Sequence, residues 1–73
     1  MKKLKLYCLY KYPLDFPEHF VVREFYFYEG NYHPASEIYF LSVHLEDVKI
    51  KMRHFHFLER NEDDDPKILG TYI

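Results

Sequence analysis

The chain has almost none of the residues that staple a small domain together. Cys8 is its single cysteine among 73 residues, so no disulfide can form within the chain. The five histidines include no Cys/His quartet at the spacing of a structural zinc site. A domain of this length buries only about 60% of the surface that its unfolded chain exposes. Its stability therefore has to come from side-chain packing.

Glycine and long apolar runs are also scarce. The only two glycines, Gly30 and Gly70, cannot build a glycine-rich phosphate loop. No segment approaches the roughly 20 apolar residues that a membrane helix requires. The opening residues 1–6 alternate lysine with leucine and lack the apolar stretch of a signal peptide. We therefore expect one domain, residues 1–73, in the cytoplasm and without membrane contact.

Aromatic residues are abundant, and their burial can supply the stability that disulfides or a structural metal would otherwise provide. The chain contains eight tyrosines and seven phenylalanines. Each buried ring removes about 150–250 Å² from water, so a few rings supply most of a small core. The remaining rings exceed that need, and a tyrosine tolerates a partly wet position because its hydroxyl stays solvated. The surplus indicates a surface that binds another macromolecule.

Apolar alternation and turn residues predict the element order β-β-β-α-β-β. In the helical segment, Leu45, Val48 and Met52 fall at i, i+3 and i+7, although Val48, Ile50 and Met52 also alternate as in a strand. The predicted class is α+β, a small and mostly antiparallel sheet of four to five strands with one short helix. The predicted strands cover 3–11, 20–28, 37–42, 53–59 and 67–73, and the helix covers 45–51.

The first strand sorts its side chains onto two faces. Alternation typical of a half-buried strand separates Leu4, Leu6, Cys8 and Tyr10 from Lys3, Lys5, Tyr7, Leu9 and Lys11. Cys8 lies on the more apolar of these faces, so we expect a buried and unreactive thiol. In the last strand, Gly70 marks a bulge or a close approach of two backbones.

Histidine and carboxylate clusters give little support to metal binding or catalysis. His54 and His56 share one strand face, but a zinc site needs further ligands that no spacing brings near. The available third ligands are Cys8, His33 and His44. The acidic run 63–65 precedes Pro66 and is typical of a solvated turn. We expect no metal, no cofactor, no small-molecule ligand and no enzymatic activity.

Charge is unevenly distributed although the formal net charge is only −2. The opening segment is basic and the stretch 59–65 is acidic, which indicates either two solvated ends or two patches that orient a partner. Tyr7 among lysines could also stack on single-stranded nucleic acid, although recognised RNA-binding motifs are lacking. The candidate partner-binding residues are Lys2, Lys3, Lys5, Tyr7, Arg23, Arg53, Asp63, Asp64 and Asp65.

Several segments resemble small proteins of tailed phages and prophages. The segments are YPLDFP at 12–17, FVVREF at 20–25, LED at 45–47, LERNEDDDPKI at 58–68 and YI at 72–73. The resemblance implies a phage-encoded regulator in the host cytoplasm that binds host RNA polymerase, displaces σ and alters termination. An inhibitor of a host defence or nuclease complex and a small nucleic-acid-binding module are the alternatives.

Overall fold

The computed structural model describes residues 3–73, which form a five-stranded antiparallel sheet and a short helix. The elements are β1 (Leu4–Lys11), β2 (Phe20–Tyr28), β3 (Asn31–Ser42), α1 (Leu45–Lys51), β4 (Phe57–Glu59) and β5 (Ile68–Tyr72). The strands lie in the order β3-β2-β1-β5-β4 across the sheet. The α+β class and the predicted element order are confirmed. Within residues 3–73, no helix has the length and apolarity needed to cross a membrane.

Strand β3 begins six residues earlier than the alternation predicts, at Asn31. The reason is the tight turn at Glu29 and Gly30, whose φ angles are 54° and 78°. Two positive φ angles in a two-residue loop match the twist of the flanking strands, so pairing continues up to the turn, with Tyr28 opposite Asn31. Pro34 is tolerated inside β3 because β3 is an edge strand.

Strand β4 is shorter than predicted, because the chain leaves α1 through turns. The Phe55 N–H donates to the Met52 carbonyl at 3.0 Å, which turns the chain toward the core. Extended pairing resumes only at His56, whose N–H donates to the Ile73 carbonyl at 2.8 Å. The predicted strand 53–59 is therefore reduced to Phe57–Glu59, and the last strand to Ile68–Tyr72.

The core lies between α1 and one face of the sheet. Strands β3 and β4 occupy opposite edges, so the connection that contains α1 has to cross this face. Val48 and Met52 are 0% and 1% exposed beneath the helix. In this hydrophobic core, the buried neighbours of Val48 and Met52 are Tyr7, Leu9, Phe20, Val22 and Tyr72. The helical spacing of Val48 and Met52 therefore reflects real packing, and the competing strand interpretation of this segment is wrong.

Gly70 lies where two backbones approach closely, as the sequence predicted. The β1–β5 register shifts beside it, with Leu9 opposite Gly70 and Tyr10 opposite Ile68. This bulge turns the intervening Leu69 onto the core. A Cβ at Gly70 would lie 2.5 Å from the Leu58 carbonyl oxygen and 2.6 Å from Cε1 of Phe57. Glycine is therefore required here by space.

Candidate functional site

The face of the sheet opposite α1 carries apolar side chains that are only partly covered. In β1, Leu4 lies opposite Phe27, and Leu6 lies opposite Phe25. On the other side of β1, Cys8 lies opposite Thr71 of β5. We call this surface the open face. Its residues are Leu4, Leu6, Cys8, Tyr10, Phe25, Phe27, Tyr32, Leu58, Ile68, Thr71 and Ile73.

Large apolar side chains at the rim of the open face are exposed to solvent. Leu4 is 57% exposed, Tyr32 65%, Leu58 44% and Ile73 48%. The Tyr32 ring packs on Phe27, with ring centroids 4.9 Å apart, so this aromatic pair is held in place. The result is an apolar rim built on paired strands and not on a loop.

A groove of about 810 Å³ runs across the open face. Leu6, only 8% exposed, forms part of its floor. The register places Arg23 of β2 beside Cys8 on this face, where its guanidinium forms an ion pair with Asp15 of the prolyl loop, residues 12–19. The prolyl loop is thereby tied to one end of the open face, and the other end stays accessible.

The charged residues that line the groove are acidic. They are Asp64 and the edge residue Glu59, whose pairing opposite Gly70 directs its side chain toward the helix side of the sheet, and the described lining residues include no lysine or arginine. The turn that carries Asp64 is ordered by hydrogen bonds, because the Asn61 N–H donates to its carboxylate at 2.9 Å. In the same turn, the Lys67 N–H donates to the Asp65 carboxylate at 2.9 Å. We call residues 61–66 the acidic turn. Its hydrogen-bonded backbone holds it in place along one side of the groove, which we call the acidic wall.

Of the predicted basic residues, Lys3 and Lys5 lie on the helix side of the sheet, whereas Arg23 lies on the open face. Nζ of Lys3 is 5.1 Å from the ring centroid of Tyr28, and Nζ of Lys5 is 3.4 Å from a carboxylate oxygen of Glu24. The hydrogen bond to Glu24 raises the pKa of Lys5. Lys2, a third predicted residue, lies outside the described residues. Lys3 and Lys5 are therefore separated by the sheet itself from the acidic groove.

Tyr7 and Arg53, which were also predicted, lie neither with the lysines on the helix side nor with the acidic residues at the groove. Tyr7 is 6% exposed and belongs to the core, so it is not the surface ring that the sequence suggested. Its ring packs on Tyr39 at 4.5 Å and on Phe55 at 5.0 Å between centroids. Nη1 of Arg53 donates to the Ile50 carbonyl at the end of α1 at 3.0 Å. The eight predicted residues that the structure describes thus occupy several separate parts of the molecule.

The sequence-based prediction missed the apolar residues of the open face as binding candidates. A signal for them exists in the sequence, because β1 carries apolar residues on both faces while one short helix is available to cover them. A seven-residue helix is about 10 Å long and covers only part of one face. An uncovered apolar face follows from this mismatch.

Cys8 is half-buried at the floor of the groove and not fully buried as predicted. Its Sγ lies 3.8 Å from Oγ1 of Thr71. Burial raises the pKa of the Cys8 thiol, so the thiol is protonated at neutral pH and its reactivity is low. This part of the prediction, an unreactive thiol, fits its surroundings. Burial also raises the pKa values of Tyr7, Tyr10 and Tyr72.

These raised pKa values predict that the protein loses stability in alkaline solution. In each case the protonated form favours the folded state, so its contribution is complete below the unfolded pKa. That value is about 8.5 for cysteine and about 10 for tyrosine, and the contribution is lost as the pH rises through the higher folded pKa. We expect the urea midpoint to be constant between about pH 7 and 8 and to fall above about pH 9.

Urea unfolding at a series of pH values measures this decline. The Cys8→Ser variant serves as control, because it removes the thiol and leaves the tyrosine contribution above about pH 10. An unchanged midpoint in the wild-type protein between pH 7 and pH 11 would contradict the prediction.

The histidines are dispersed over the molecule. His33 stacks on Tyr28 with ring centroids 3.9 Å apart, and the His56 backbone pairs with Ile73. Among residues 3–73, no three His, Cys, Asp or Glu side chains converge as a metal-binding group. No family model, curated protein or solved structure matches this chain. The geometry of the open face is accordingly the main guide to function.

Proposed function

We propose that this chain is an adaptor that binds another protein through the open face of its sheet. The observation that carries the proposal is the apolar groove between exposed Leu4, Leu58 and Ile73. Large contiguous apolar patches are uncommon on monomeric proteins and mark interaction sites. The side chains are presented by paired strands, so little ordering entropy is lost on binding.

The open face has the dimensions of a protein interface. Five strands spaced about 4.8 Å apart span about 19 Å across the sheet. A standard interface buries about 800 Å² on each partner, which is a modest part of the 5507 Å² surface of this protein. Tyr32 at the rim is of the residue class that dominates binding energy in many interfaces.

Host RNA polymerase is the partner that we propose to test first. The support is the resemblance of the chain to small phage proteins together with a rigid apolar contact surface. Such a protein, bound through the open face, would inhibit or redirect transcription by displacing σ or by altering termination. An inhibitor of a host defence or nuclease complex would use the same face, and it is distinguished by the partner that is retained.

Affinity capture from host lysate tests both the partner and the face. We compare the tagged wild-type protein with Leu58→Ser on the open face and with Ile50→Ser on α1. Ile50 is a matched control, because it is an aliphatic side chain of 61% exposure on the other side of the molecule. A buried leucine contributes about 1.5–3 kcal/mol, so Leu58→Ser should weaken capture by tenfold or more, while Ile50→Ser should leave it unchanged.

Three outcomes count against the proposal. Failure of the wild-type protein to retain any polymerase subunit removes RNA polymerase as the partner, and enrichment of an effector nuclease favours the alternative. Equal capture by the wild-type protein and Leu58→Ser removes the open face as the contact surface. Circular dichroism of both variants verifies that they fold, so that loss of capture reports on binding.

A further inference from the structure

We propose that the segment which docks in the open face is a basic amphipathic helix of the partner protein. This inference rests on the proposed function and specifies the chemistry of the partner. Two observations carry it: the acidic wall of the groove, and the manner in which the opposite face of the same sheet is already covered.

The opposite face shows what kind of element this sheet accommodates. There α1 and the residue that caps it place Leu45, Val48 and Met52, at i, i+3 and i+7, onto the sheet, and Val48 and Met52 are buried. The open face offers a similar lining of aliphatic and aromatic side chains on the same strands. Its groove is formed by side chains on a sheet face and not by free backbone groups at an edge. A helix therefore fits it better than an added strand.

The charge around the groove selects a basic partner. Asp64 lines it, and Glu62 and Asp63 are exposed in the same turn. The basic side chains near this face are engaged elsewhere: Arg23 pairs with Asp15, and Arg60 donates to the Asn61 carbonyl at 3.2 Å. The groove therefore presents an apolar floor with an acidic wall. Lysines or arginines flanking an apolar stripe complement this surface.

A second copy of this chain is a poorer occupant because its charges do not complement the groove. In a two-fold symmetric pair, the acidic turn of one copy would face either the same turn or the β3 edge of the other. Strand β3 contains Glu37 and no lysine or arginine, and the preceding turn contains Glu29. Like charges would meet in both arrangements, whereas Lys3 and Lys5 lie on the helix side of the sheet.

The width of the sheet sets the length of the docking helix. A groove about 19 Å across matches about 13 helical residues at 1.5 Å per residue. Three or four apolar side chains at i, i+3, i+7 and i+10 would then enter the groove. Basic residues on the flank that faces β4 would reach the acidic turn that contains Asp64.

Model peptides of defined sequence test this chemistry directly. The probe is a fluorescein-labelled helical peptide of about 16 residues, with leucines at i, i+3, i+7 and i+10, flanking lysines, and alanines elsewhere. Two controls replace every lysine by glutamate or every leucine by serine. By fluorescence anisotropy in about 50 mM salt, we expect the lysine peptide to bind the full chain at least tenfold more tightly than either control. The advantage over the glutamate peptide should shrink in about 0.5 M salt, where charges are screened.

Variants of the chain locate the bound peptide. Leu58→Ser should weaken binding by tenfold or more and Asp64→Asn should weaken it several-fold, while Ile50→Ser and Glu46→Gln on α1 should leave it unchanged. Bound peptide should also slow alkylation of Cys8, which lies in the groove. Equal affinity for the lysine and glutamate peptides, or equal effects of Leu58→Ser and Ile50→Ser, would overturn the inference. A dimer in sedimentation that Leu58→Ser dissociates would overturn it in favour of a second copy.

The two proposals can fail separately. If Leu58→Ser abolishes capture of a cellular partner but the lysine peptide does not bind, the open face is a contact surface for another kind of segment. If the lysine peptide binds in the groove but Leu58→Ser leaves cellular capture unchanged, the groove accepts a basic helix while the proposed function is wrong.

Discussion

Replacement of Met52 by alanine is expected to lower the free energy of unfolding by about 2–5 kcal/mol, the range observed for truncation of large buried aliphatic side chains. Met52, the residue that follows α1, is 1% exposed and packs with Val48 in the core beneath the helix. Truncation would leave a cavity among the core side chains that surround Met52. Urea unfolding followed by circular dichroism measures the loss.

The expected loss is large relative to the stability of a domain of 73 residues. At about 0.05–0.15 kcal/mol per residue, such a domain is stable by only about 4–11 kcal/mol. Met52→Ala should therefore bring the protein close to unfolding at 37 °C. The matched control is Ile50→Ala, on the same turn of the chain but 61% exposed, which should change stability by less than about 0.5 kcal/mol. A loss below about 1 kcal/mol for Met52→Ala would mean that α1 does not anchor the core.

Replacement of Gly70 by alanine is expected to cost about 1–3 kcal/mol through overpacking, and to loosen β4 in particular. The added methyl group would lie 2.5 Å from the Leu58 carbonyl oxygen, which belongs to the backbone of β4. It would also lie 2.6 Å from Cε1 of Phe57, whose ring is held against Tyr72 with centroids 4.9 Å apart. Because β4 has only three residues, separation from β5 is the expected way to relieve the clash.

Hydrogen exchange of the β4 and β5 amides distinguishes this local effect from a general loss of stability. The double variant Phe57→Ala/Gly70→Ala separates the two clashes. Removal of the ring should restore little stability, since the Leu58 carbonyl remains in place. Gly30→Ala is the comparison for glycine in general, because nothing lies within 4 Å of its added Cβ and only the φ of 78° is strained. Unchanged β4 protection in Gly70→Ala would contradict the close approach.

The local elements of this fold are readable from the sequence because each depends on neighbouring residues. The bounds of β2 and of α1 are those predicted, since a run of Val, Phe and Tyr or an i, i+3, i+7 pattern is contained within a few turns of chain. The tight packing at Gly70 was also indicated, because glycine marks positions where other residues do not fit.

Boundaries that depend on a partner strand were less predictable. Strand β3 extends to Asn31 because β2 pairs with it along its whole length, although Asn31, His33 and Pro34 have little strand preference. Strand β4 is short for the opposite reason, since turns after α1 consume the residues that alternate at 53–56. In both cases long-range pairing overrides the local pattern.

The sequence by itself determined the element order, the aromatic core and the presence of two chemically different faces on β1. It did not determine which of those faces would be covered. Both are apolar in their middle, and alternation is symmetric between them. Only the tertiary structure decided this, because the connection from β3 to β4 must cross the sheet and carries α1 over Tyr7 and Leu9. The same crossing leaves Leu4, Leu6 and Cys8 on the open face, where the function that we propose would reside.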